Sequence, residues 1–405
     1  MRSKKILNEL HEKNRDRASL TPAALYAKKG LSHCYMAERQ CWSYIYHLDG
    51  RDRPNESFPP QDAFYSLNVI LGFAALGRSA WEGEYDLPAL LQINARRVFE
   101  DKAPIYAIGM ALWASAVLGS PFEPDTAAKI RAFVTDRAHW KKFRAQDLGM
   151  ILTGMAAMKK AGNNEYAQEA HALFTFLKEG YISGSGLFRD AATGPRKYFA
   201  SFATQTYLIT ACYHYGTAFE SDEALTIADD AVRALLPLQG ENGEWPWFYR
   251  ACKRLVVDYY ELYTVHQNAM AALFLRFAKE RGVPGAHEAL IKGFGWSLGG
   301  NRLGKNMMVP ELGMFYRSVL RKGELKSKIK RLMRVLWLSF SGRADSLALP
   351  DHLDVRLECR SYELGWILYV FAGCEEDDDL AGILYHPAFT AALRDERSSL
   401  NSSAA

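Results

Sequence analysis

Residues 146–162 read QDLGMILTGMAAMKKAG, a polar pair followed by small and apolar residues and then a glycine. This phrase has the length of one globular helix, a polar N-terminal end and a glycine where a left-handed C-cap is expected. The phrase occurs six times, at 61–77, 106–119, 146–162, 205–216, 267–282 and 362–373. The sequence therefore predicts six equivalent and mostly apolar helices.

Successive copies begin about 40 to 60 residues apart, except for about 95 residues before the last, a period typical of a solenoid or closed toroid. More amphipathic segments lie between them, at 125–137, 165–179, 222–238 and 287–298. We therefore predict an all-α, (α/α)6 toroid of helical hairpins, with inner helices alternating with outer ones and short loops or strands at one rim. The polar residues that open the inner helices would meet at that rim.

The 405 residues are 49% apolar and no Pro/Gly/Ser-rich linker divides them, which favours one domain over residues 1–395. Within it we expect an N-terminal extension at 1–55 and a basic insertion at 317–345, and residues 396–405 read as a disordered tail. A net charge of +4 without basic clustering over a face argues against nucleic-acid binding.

The chain shows no apolar signal region after Met1-Arg2-Ser3-Lys4-Lys5 and no apolar run of about 18 residues, so we expect a cytoplasmic protein. Its six cysteines have no CxxC spacing and are expected to be reduced packing residues. The sequence indicates no metal site and no organic cofactor. It does not indicate the oligomeric state.

A basic stretch runs from Arg317 to Arg334, with Glu324 as its single acidic residue, and is followed by Val335-Leu336-Trp337-Leu338. A basic amphipathic helix can rest on an anionic membrane, contact a protein partner or hold a phosphorylated ligand. The other interpretation is a solvated outer face of the insertion.

The densest group of chemically active side chains lies between Leu238 and Met270. Gly240 and Gly243 permit a tight turn, after which Trp245 and Trp247 are predicted to offer aromatic faces that stack on sugar rings. A carboxylate, phenols and an imidazole follow, the ingredients of an acid/base site. We predict Glu244, Asp258, Tyr263 and His266 as catalytic residues and Trp245, Trp247, Tyr260 and Gln267 as substrate contacts. The alternative is a structural role in closing a hairpin and capping a helix.

Further candidates open other copies of the phrase. Asp62, Asp147 and Glu363 stand at helix starts, as substrate contacts or as N-terminal caps.

Segment 184–190 mirrors segment 243–247, which would make Asp190 and Glu244 equivalent positions. Within 356–363, the residues Arg356, Glu358, Arg360 and Glu363 alternate in charge, either to hold a carboxylate or phosphate of the substrate or to form a structural ion-pair network.

Three segments, Gln239–Trp247, Asp258–Met270 and Glu358–Trp366, resemble an uncharacterised bacterial family that is often encoded among polysaccharide-assembly genes. The family pattern has Pro where this chain has Glu261 and Asp where it has Asn268, so catalysis by this copy is in doubt if that Asp is catalytic in relatives. More broadly, the chain is similar to six-hairpin glycosidases, sugar epimerases and polysaccharide lyases, and to terpene-cyclase toroids.

These resemblances leave three hypotheses for function. The first is a carbohydrate-active hydrolase, lyase or epimerase that binds an oligo- or polysaccharide in the central cleft, with Arg360 holding an acidic sugar. The second is a terpene cyclase-like isoprenoid enzyme with an aromatic-lined cavity, although the only acidic run, residues 375–379, should lie past a helix end. The third is a non-catalytic glycan-binding or scaffold protein of surface-polysaccharide assembly, which the Asn268 departure favours.

Overall fold

The computed structural model describes residues 20–323 and 328–393, with the side chains of Lys328 and Lys330 excepted. The tail predicted at 396–405, the start of the N-terminal extension, Glu324 and Lys326 lie outside these ranges. The chain divides into two compact units. The first comprises the described parts of Met1–Ile130, Met308–Tyr316 and Leu357–Ala405, and the second comprises those of Arg131–Met307 and Arg317–Arg356. A single domain over residues 1–395 stays a prediction.

The helices, in chain order, are α1 (Pro22–Cys34), α2 (Pro59–Leu76), α3 (Leu87–Glu100), α4 (Tyr106–Leu118), α5 (Pro124–Thr135), α6 (Ala145–Lys160), α7 (Ala167–Tyr181), α8 (Phe202–Ala218), α9 (Asp222–Leu235), α10 (Ala271–Glu280), α11 (Ala286–Ser297), α12 (Lys328–Ser341), α13 (Ser361–Phe371), α14 (Ala381–Leu384) and α15 (residues 387–393). A π-helical turn, His266–Met270, leads into α10. The unit boundary falls within α5.

All six repeated segments are helical, as predicted, and they form α2, α4, α6, α8, α10 with its π-helical turn, and α13. In the first unit α2 packs between α13 and α4, and α1 and α3 lie against them. In the second unit α8 packs between α6 and α10, with α7, α9 and α11 outside. The repeated helices are buried on nearly all sides, whereas an outer helix such as α9 buries one face. The predicted inner and outer roles are therefore confirmed within each unit.

One predicted helix end is wrong. Gly119 ends α4 in the left-handed conformation, as expected, with a φ of 69°. Gly216 instead lies inside α8, which continues to Ala218. A Cβ at Gly216 would stand 2.7 Å from the Leu225 side chain, so this glycine permits the close approach of α9 and does not cap a helix.

Gly365 permits a close contact between α13 and α2 in the first unit. A Cβ there would stand 2.2 Å from Oδ1 of Asn68 in α2 and 3.0 Å from the Val69 Cα. We expect Gly365→Ala to lower the free energy of unfolding by about 1–3 kcal/mol, because overpacking forces the two helices apart. Chemical denaturation of both proteins measures this. Gly382→Ala, where a Cβ meets nothing within 4 Å, is the control, and equal effects of the two changes would contradict the prediction.

Short strands precede the N-terminal ends of inner helices. They are β1 (Tyr35–Met36), β2 (Cys41–Trp42), β3 (Ile45–His47), β4 (Asn55–Glu56), β5 (Phe199–Ser201), β6 (Phe248–Arg250), β7 (Leu255–Asp258), β8 (Leu262–Tyr263), β9 (Met308–Val309), β10 (Met314–Phe315), β11 (Ser318–Arg321), β12 (Leu353–Arg356) and β13 (Glu358–Cys359). In the second unit β5–β6–β7 and β8–β11–β12 form antiparallel sheets, and in the first β4–β3–β13 form another. Strands β5, β8 and β13 run almost directly into α8, the π-helical turn and α13, so polar residues at these helix starts lie beside strand ends.

The six cysteines are free, and all except Cys252 are buried, as expected for packing residues. Of the helices described, none is both long and apolar enough to cross a bilayer. Within residues 20–323 and 328–393, no group of three or more His, Cys, Asp or Glu side chains is arranged to hold a metal ion.

Candidate functional site

Two glutamines at inner-helix starts hold the turns that precede them. The Oε1 of Gln267 accepts a hydrogen bond from the Trp245 N–H at 2.8 Å, and its Nε2 donates to the Tyr263 carbonyl at 3.1 Å. Gln205 brackets Phe188 in the same way, accepting from its N–H at 3.0 Å and donating to its carbonyl at 2.9 Å. Because these contacts use its buried amide, Gln267 braces the site and does not face a substrate.

This bracing corrects the predicted equivalence of Asp190 and Glu244. Gly186 and Gly243 both have positive φ, 90° and 97°, and each stands two residues before the residue that its glutamine binds. Phe188 and Trp245 are therefore equivalent, and the position that matches Glu244 is Leu187. With Gly186 matched to Gly243, Asp190 corresponds to Trp247, so Asp190 and Glu244 are not equivalent.

The two tryptophans of the turn have different environments. Trp245 is fully buried and packs against Phe202, with ring centroids 5.4 Å apart, and against Phe274 at 6.3 Å. It is a core residue and has no face open to a sugar, contrary to the prediction. Trp247 is half-buried and lies parallel to the His266 ring, with centroids 5.9 Å apart and an interplanar angle of 2°.

His266 opens the π-helical turn and is almost completely buried. Its Nδ1 has no hydrogen-bond partner among the described residues. Burial lowers the pKa of His266 to about 3, and the positive charge of Arg317 acts in the same direction. The imidazole is therefore uncharged near neutral pH.

Tyr263 is the half-buried phenol next to this imidazole, with ring centroids 5.1 Å apart. Its hydroxyl donates to Oε2 of the buried Glu261 at 3.3 Å, and the Arg317 guanidinium lies 4.9 Å from its ring centroid. Burial and the Glu261 carboxylate raise the pKa of Tyr263, and Arg317 opposes them. The phenol is therefore protonated in the resting site.

Glu261 is held from two further sides. Its Oε1 accepts a hydrogen bond from the Ser318 hydroxyl and lies 3.3 Å from Nε of Arg356. Both Arg317 and Arg356 are partly exposed. We call Trp247, Glu261, Tyr263, His266, Arg317 and Arg356 the Tyr263 cluster.

Strand register brings this cluster together from distant parts of the chain. Ser318 of β11 lies opposite Tyr263 of β8 on one side and opposite Arg356 of β12 on the other. The sequence predicted site roles for Tyr263, His266 and Trp247. It also placed Arg356 among the charged residues that could bind a carboxylate or phosphate of the substrate, but it gave Glu261 and Arg317 no role of their own in the site. A long-range strand pairing leaves no local signal, although Arg317 and Arg356 both stood in charged stretches that were noted.

Asp258, predicted as catalytic, forms ion pairs instead. Its carboxylate oxygens lie 2.5 Å from Nε of Arg331, 2.9 Å from Nη2 of Arg334 and 3.7 Å from Nη1 of Arg321. Asp345 joins the same group at 3.0 Å from Nη2 of Arg321. We call these five residues the α12 ion-pair group. The basic stretch is therefore not simply a solvated face, because three of its arginines turn inward.

Glu244 and Tyr260 line a small pocket and do not lie in the Tyr263 cluster. Glu244 is fully buried and accepts hydrogen bonds from Asn242, from its N–H at 3.0 Å and its Nδ2 at 2.8 Å. Tyr260 is also fully buried, with the Arg321 guanidinium 4.6 Å from its ring centroid. Burial raises the pKa of Tyr260 to about 12. The space that both line has a volume of about 10 Å³, enough for about one water molecule.

Three carboxylates bind nearby backbone, Asp62 and Asp147 from the first turns of α2 and α6 and Asp190 from a bend before β5. Asp62 accepts from the Phe58 N–H at 3.0 Å, and Asp147 accepts from the Arg144 N–H at 3.0 Å. Asp190 accepts from the Ser201 N–H at 3.0 Å. The bonds of Asp62 and Asp147 satisfy donors that a helix start would otherwise leave unpaired, in agreement with the capping alternative for these two residues.

The charged segment before α13 forms a local ion pair in the first unit. Arg360 is buried; its Nη2 donates to Oε1 of Glu358 at 2.9 Å, and its guanidinium carbon lies 3.9 Å from the Tyr44 ring centroid. Glu363 is buried within α13. Because Arg360 is buried as well as paired, it is less accessible to an acidic sugar than a partly exposed arginine would be.

Sequence reasoning missed an aromatic group at the inner-helix starts of the first unit. Tyr65 lies 4.7 Å from Tyr362 and 5.2 Å from Tyr44 between ring centroids. Tyr106 donates from its hydroxyl to Oε1 of Gln61 at 3.0 Å. Tyr106 and Tyr362 each open a copy of the repeated phrase, which was the available signal.

No family model and no curated protein matches the chain. Solved structures do match. A cellobiose 2-epimerase from Bacillus thermoamylovorans has a TM-score of 0.55 and 9% identity, over 85% of this chain and 95% of that one. An unsaturated glucuronyl hydrolase from a Bacillus species has a TM-score of 0.52 and 13% identity, over 90% and 97%. A glycosyl hydrolase family 88 protein from Bacteroides vulgatus has a TM-score of 0.51 and 12% identity, over 89% and 100%.

These similar structures are six-hairpin toroids, and the likeness extends over most of both chains. At such low identities it shows the fold alone. The chain therefore has the all-α, (α/α)6 toroid fold that its repeated phrase predicts.

Proposed function

We propose that this protein is a carbohydrate-active enzyme that performs acid/base chemistry on an acidic oligo- or polysaccharide at the Tyr263 cluster. The observation that carries the proposal is the position of the Tyr263 phenol. It is partly exposed, hydrogen-bonded to a buried carboxylate and overlaid by a guanidinium group, beside the face of Trp247. An aromatic face next to a phenol and cations suits a charged sugar.

Two arginines argue for an acidic sugar. Arg317 and Arg356 flank Tyr263 and Glu261 and are both partly exposed. Guanidinium groups bind carboxylates with charge-assisted hydrogen bonds. A uronate carboxylate seated near Arg317 would also offset the positive charge that helps to lower the pKa of His266.

The chemistry that fits this arrangement is removal of the proton next to the sugar carboxylate. In an elimination, that proton leaves C5, the electron pair forms the double bond and the bond from C4 to the glycosidic oxygen breaks. Tyr263 would take the C5 proton while passing its own to Glu261, would then protonate the leaving oxygen, and would finally regain its proton from Glu261. Arg317 would stabilise negative charge on the phenolic ring during the transfer. Epimerisation uses the same first step but needs a second proton donor on the opposite face of the sugar.

Hydrolysis is the less favoured reaction. It needs two carboxylates about 5 to 10 Å apart on either side of the scissile bond. Glu244 is enclosed by Asn242 hydrogen bonds, and Asp258 is matched by arginines. Neither is positioned as an available acid or base. By their names, the similar solved structures include both a glucuronyl hydrolase and a cellobiose epimerase, which supports the general kind of activity and not one reaction.

Thermal-shift measurements with uronic-acid oligosaccharides, neutral oligosaccharides and isoprenyl diphosphates test this proposal. A ligand at about 100 times its Kd stabilises the native state by about 2.7 kcal/mol, so a clear rise in Tm is expected with the acidic sugars. Trp247→Ala should weaken that binding about tenfold, because it removes the stacking face. Tyr385→Ala, a change of an exposed aromatic residue outside the cluster, is the control.

The other results distinguish the alternatives. A shift with isoprenyl diphosphates alone would favour a terpene cyclase-like enzyme. Sugar binding without a new ultraviolet-absorbing double bond, an epimer or a shortened product would favour a glycan-binding scaffold. Sugar binding that Trp247→Ala leaves unchanged would place the site elsewhere in the chain.

A further inference from the structure

Helix α12 carries its large apolar side chains on its outer face. Ile329 is 78% exposed, Trp337 is 57% exposed and Phe340 is 83% exposed. The full set is Ile329, Leu332, Met333, Leu336, Trp337 and Phe340. Their spacing of three and four residues places them along one side of the helix. We call this set the α12 apolar face.

The opposite side of α12 is anchored to the second unit. Arg331 and Arg334 bind Asp258, while Val335 and Leu338 pack with Val257 in a small buried cluster. Rotating the helix to bury its apolar face would break these ion pairs and expose their charges. The side of α12 that faces the protein therefore carries ion-paired arginines together with Val335 and Leu338. The large apolar side chains of the other side are exposed.

The surroundings of the α12 apolar face are cationic. Residues 328–343 contain no acidic residue, and Arg343, just past the end of α12, and Lys253 are both exposed. The Arg343 guanidinium lies 5.8 Å from the Trp337 ring centroid. The Nζ of Lys253 comes within 3.9 Å of the position that a Cβ would occupy at Gly342. Cations thus border an apolar face that includes an indole.

We propose that α12 docks the protein on an anionic lipid surface, with the α12 apolar face inserted among acyl chains and the bordering cations near phosphate headgroups. An interfacial helix has this composition, and tryptophan favours the boundary between headgroups and hydrocarbon. A second copy of the chain is a poorer occupant, because pairing two such faces would bring like charges together. This proposal does not depend on the proposed enzymatic function.

Sedimentation with vesicles tests the proposal. The full chain is mixed with vesicles of phosphatidylcholine alone and of phosphatidylcholine with phosphatidylglycerol. We expect sedimentation with the anionic vesicles, and binding at least about tenfold weaker for the double variant Trp337→Ser, Phe340→Ser. Leu25→Ser changes an exposed leucine of α1 and should bind as the parent does. Because both changed residues are exposed, the double variant should unfold at the parent temperature.

A second variant tests whether the cations that border the α12 apolar face contribute to vesicle binding. Lys253→Glu with Arg343→Glu should weaken binding to anionic vesicles by about tenfold or more and reduce its dependence on phosphatidylglycerol. If the unchanged protein does not sediment with anionic vesicles, the proposal is overturned. A dimer in solution that the Trp337→Ser, Phe340→Ser variant dissociates, without vesicle binding by the parent, would assign the face to a second copy instead.

Discussion

Tyr263→Phe is expected to lower kcat/KM by about 100- to 10,000-fold on the acidic oligosaccharide that the protein binds, since the phenol is the proposed proton-transfer group. Its effect on stability should be small, because the lost hydrogen bond to Glu261 is 3.3 Å long and such a bond contributes about 1 kcal/mol. The Glu261 carboxylate keeps its contacts with Ser318 and Arg356. Steady-state kinetics and denaturation measured together separate the two effects.

The control for this change is Tyr198→Phe, which removes a hydroxyl from an exposed tyrosine outside the cluster. It should leave the kinetics unchanged. If Tyr263→Phe retains activity within about threefold of the parent, proton transfer takes place at another group. A loss confined to KM would mean that the phenol binds the sugar and does not transfer a proton.

Asp258→Ala is expected to lower the free energy of unfolding by about 3–5 kcal/mol, because removing one partner leaves buried charge uncompensated. The Asp258 side chain is only 2% exposed, and Arg321 is 16% exposed. Arg331 and Arg334 are each 30% exposed, so water offsets part of the loss and the lower end of the range is the expected value. Chemical denaturation measures it, with Asp354→Ala on the exposed side of β12 as the control.

Asp258→Asn distinguishes a structural role from the catalytic role that the sequence suggested. The amide keeps the size of the side chain and removes its charge. We expect a large loss of stability and a normal kcat for the folded fraction. A stable variant with kcat lowered about 100-fold or more would instead support general acid/base catalysis by Asp258.

The repeated helices could be predicted because their signals are local. A run of small and apolar residues ending at glycine favours a buried helix whatever surrounds it, and all six segments are helical. The prediction for Gly216 was wrong because the same residue type serves two purposes. Its role in admitting Leu225 depends on a neighbouring helix and not on local conformation.

The candidate site was only partly predictable. Tyr263 and His266 lie just before or at an inner-helix start, where a polar residue in an apolar context is visible in the sequence. Trp245 and Trp247 are two residues apart and indistinguishable by type, yet one is core and the other half-buried. Only packing against Phe202 and Phe274 separates them.

The sequence by itself determined the helical repeat and the inner and outer classes of helix, because periodicity and turn chemistry act over a few residues. It predicted short loops or strands at one rim but did not give the positions of the strands. Tertiary structure decided which charges meet. Pairing of β8, β11 and β12 places Arg317 and Arg356 near Tyr263, and Asp258 draws the arginines of α12 inward. The sequence of α12 shows that its two faces differ, but it does not show which face turns outward. That depends on Asp258, about 70 residues away in the chain, because a buried charge requires an opposite charge beside it.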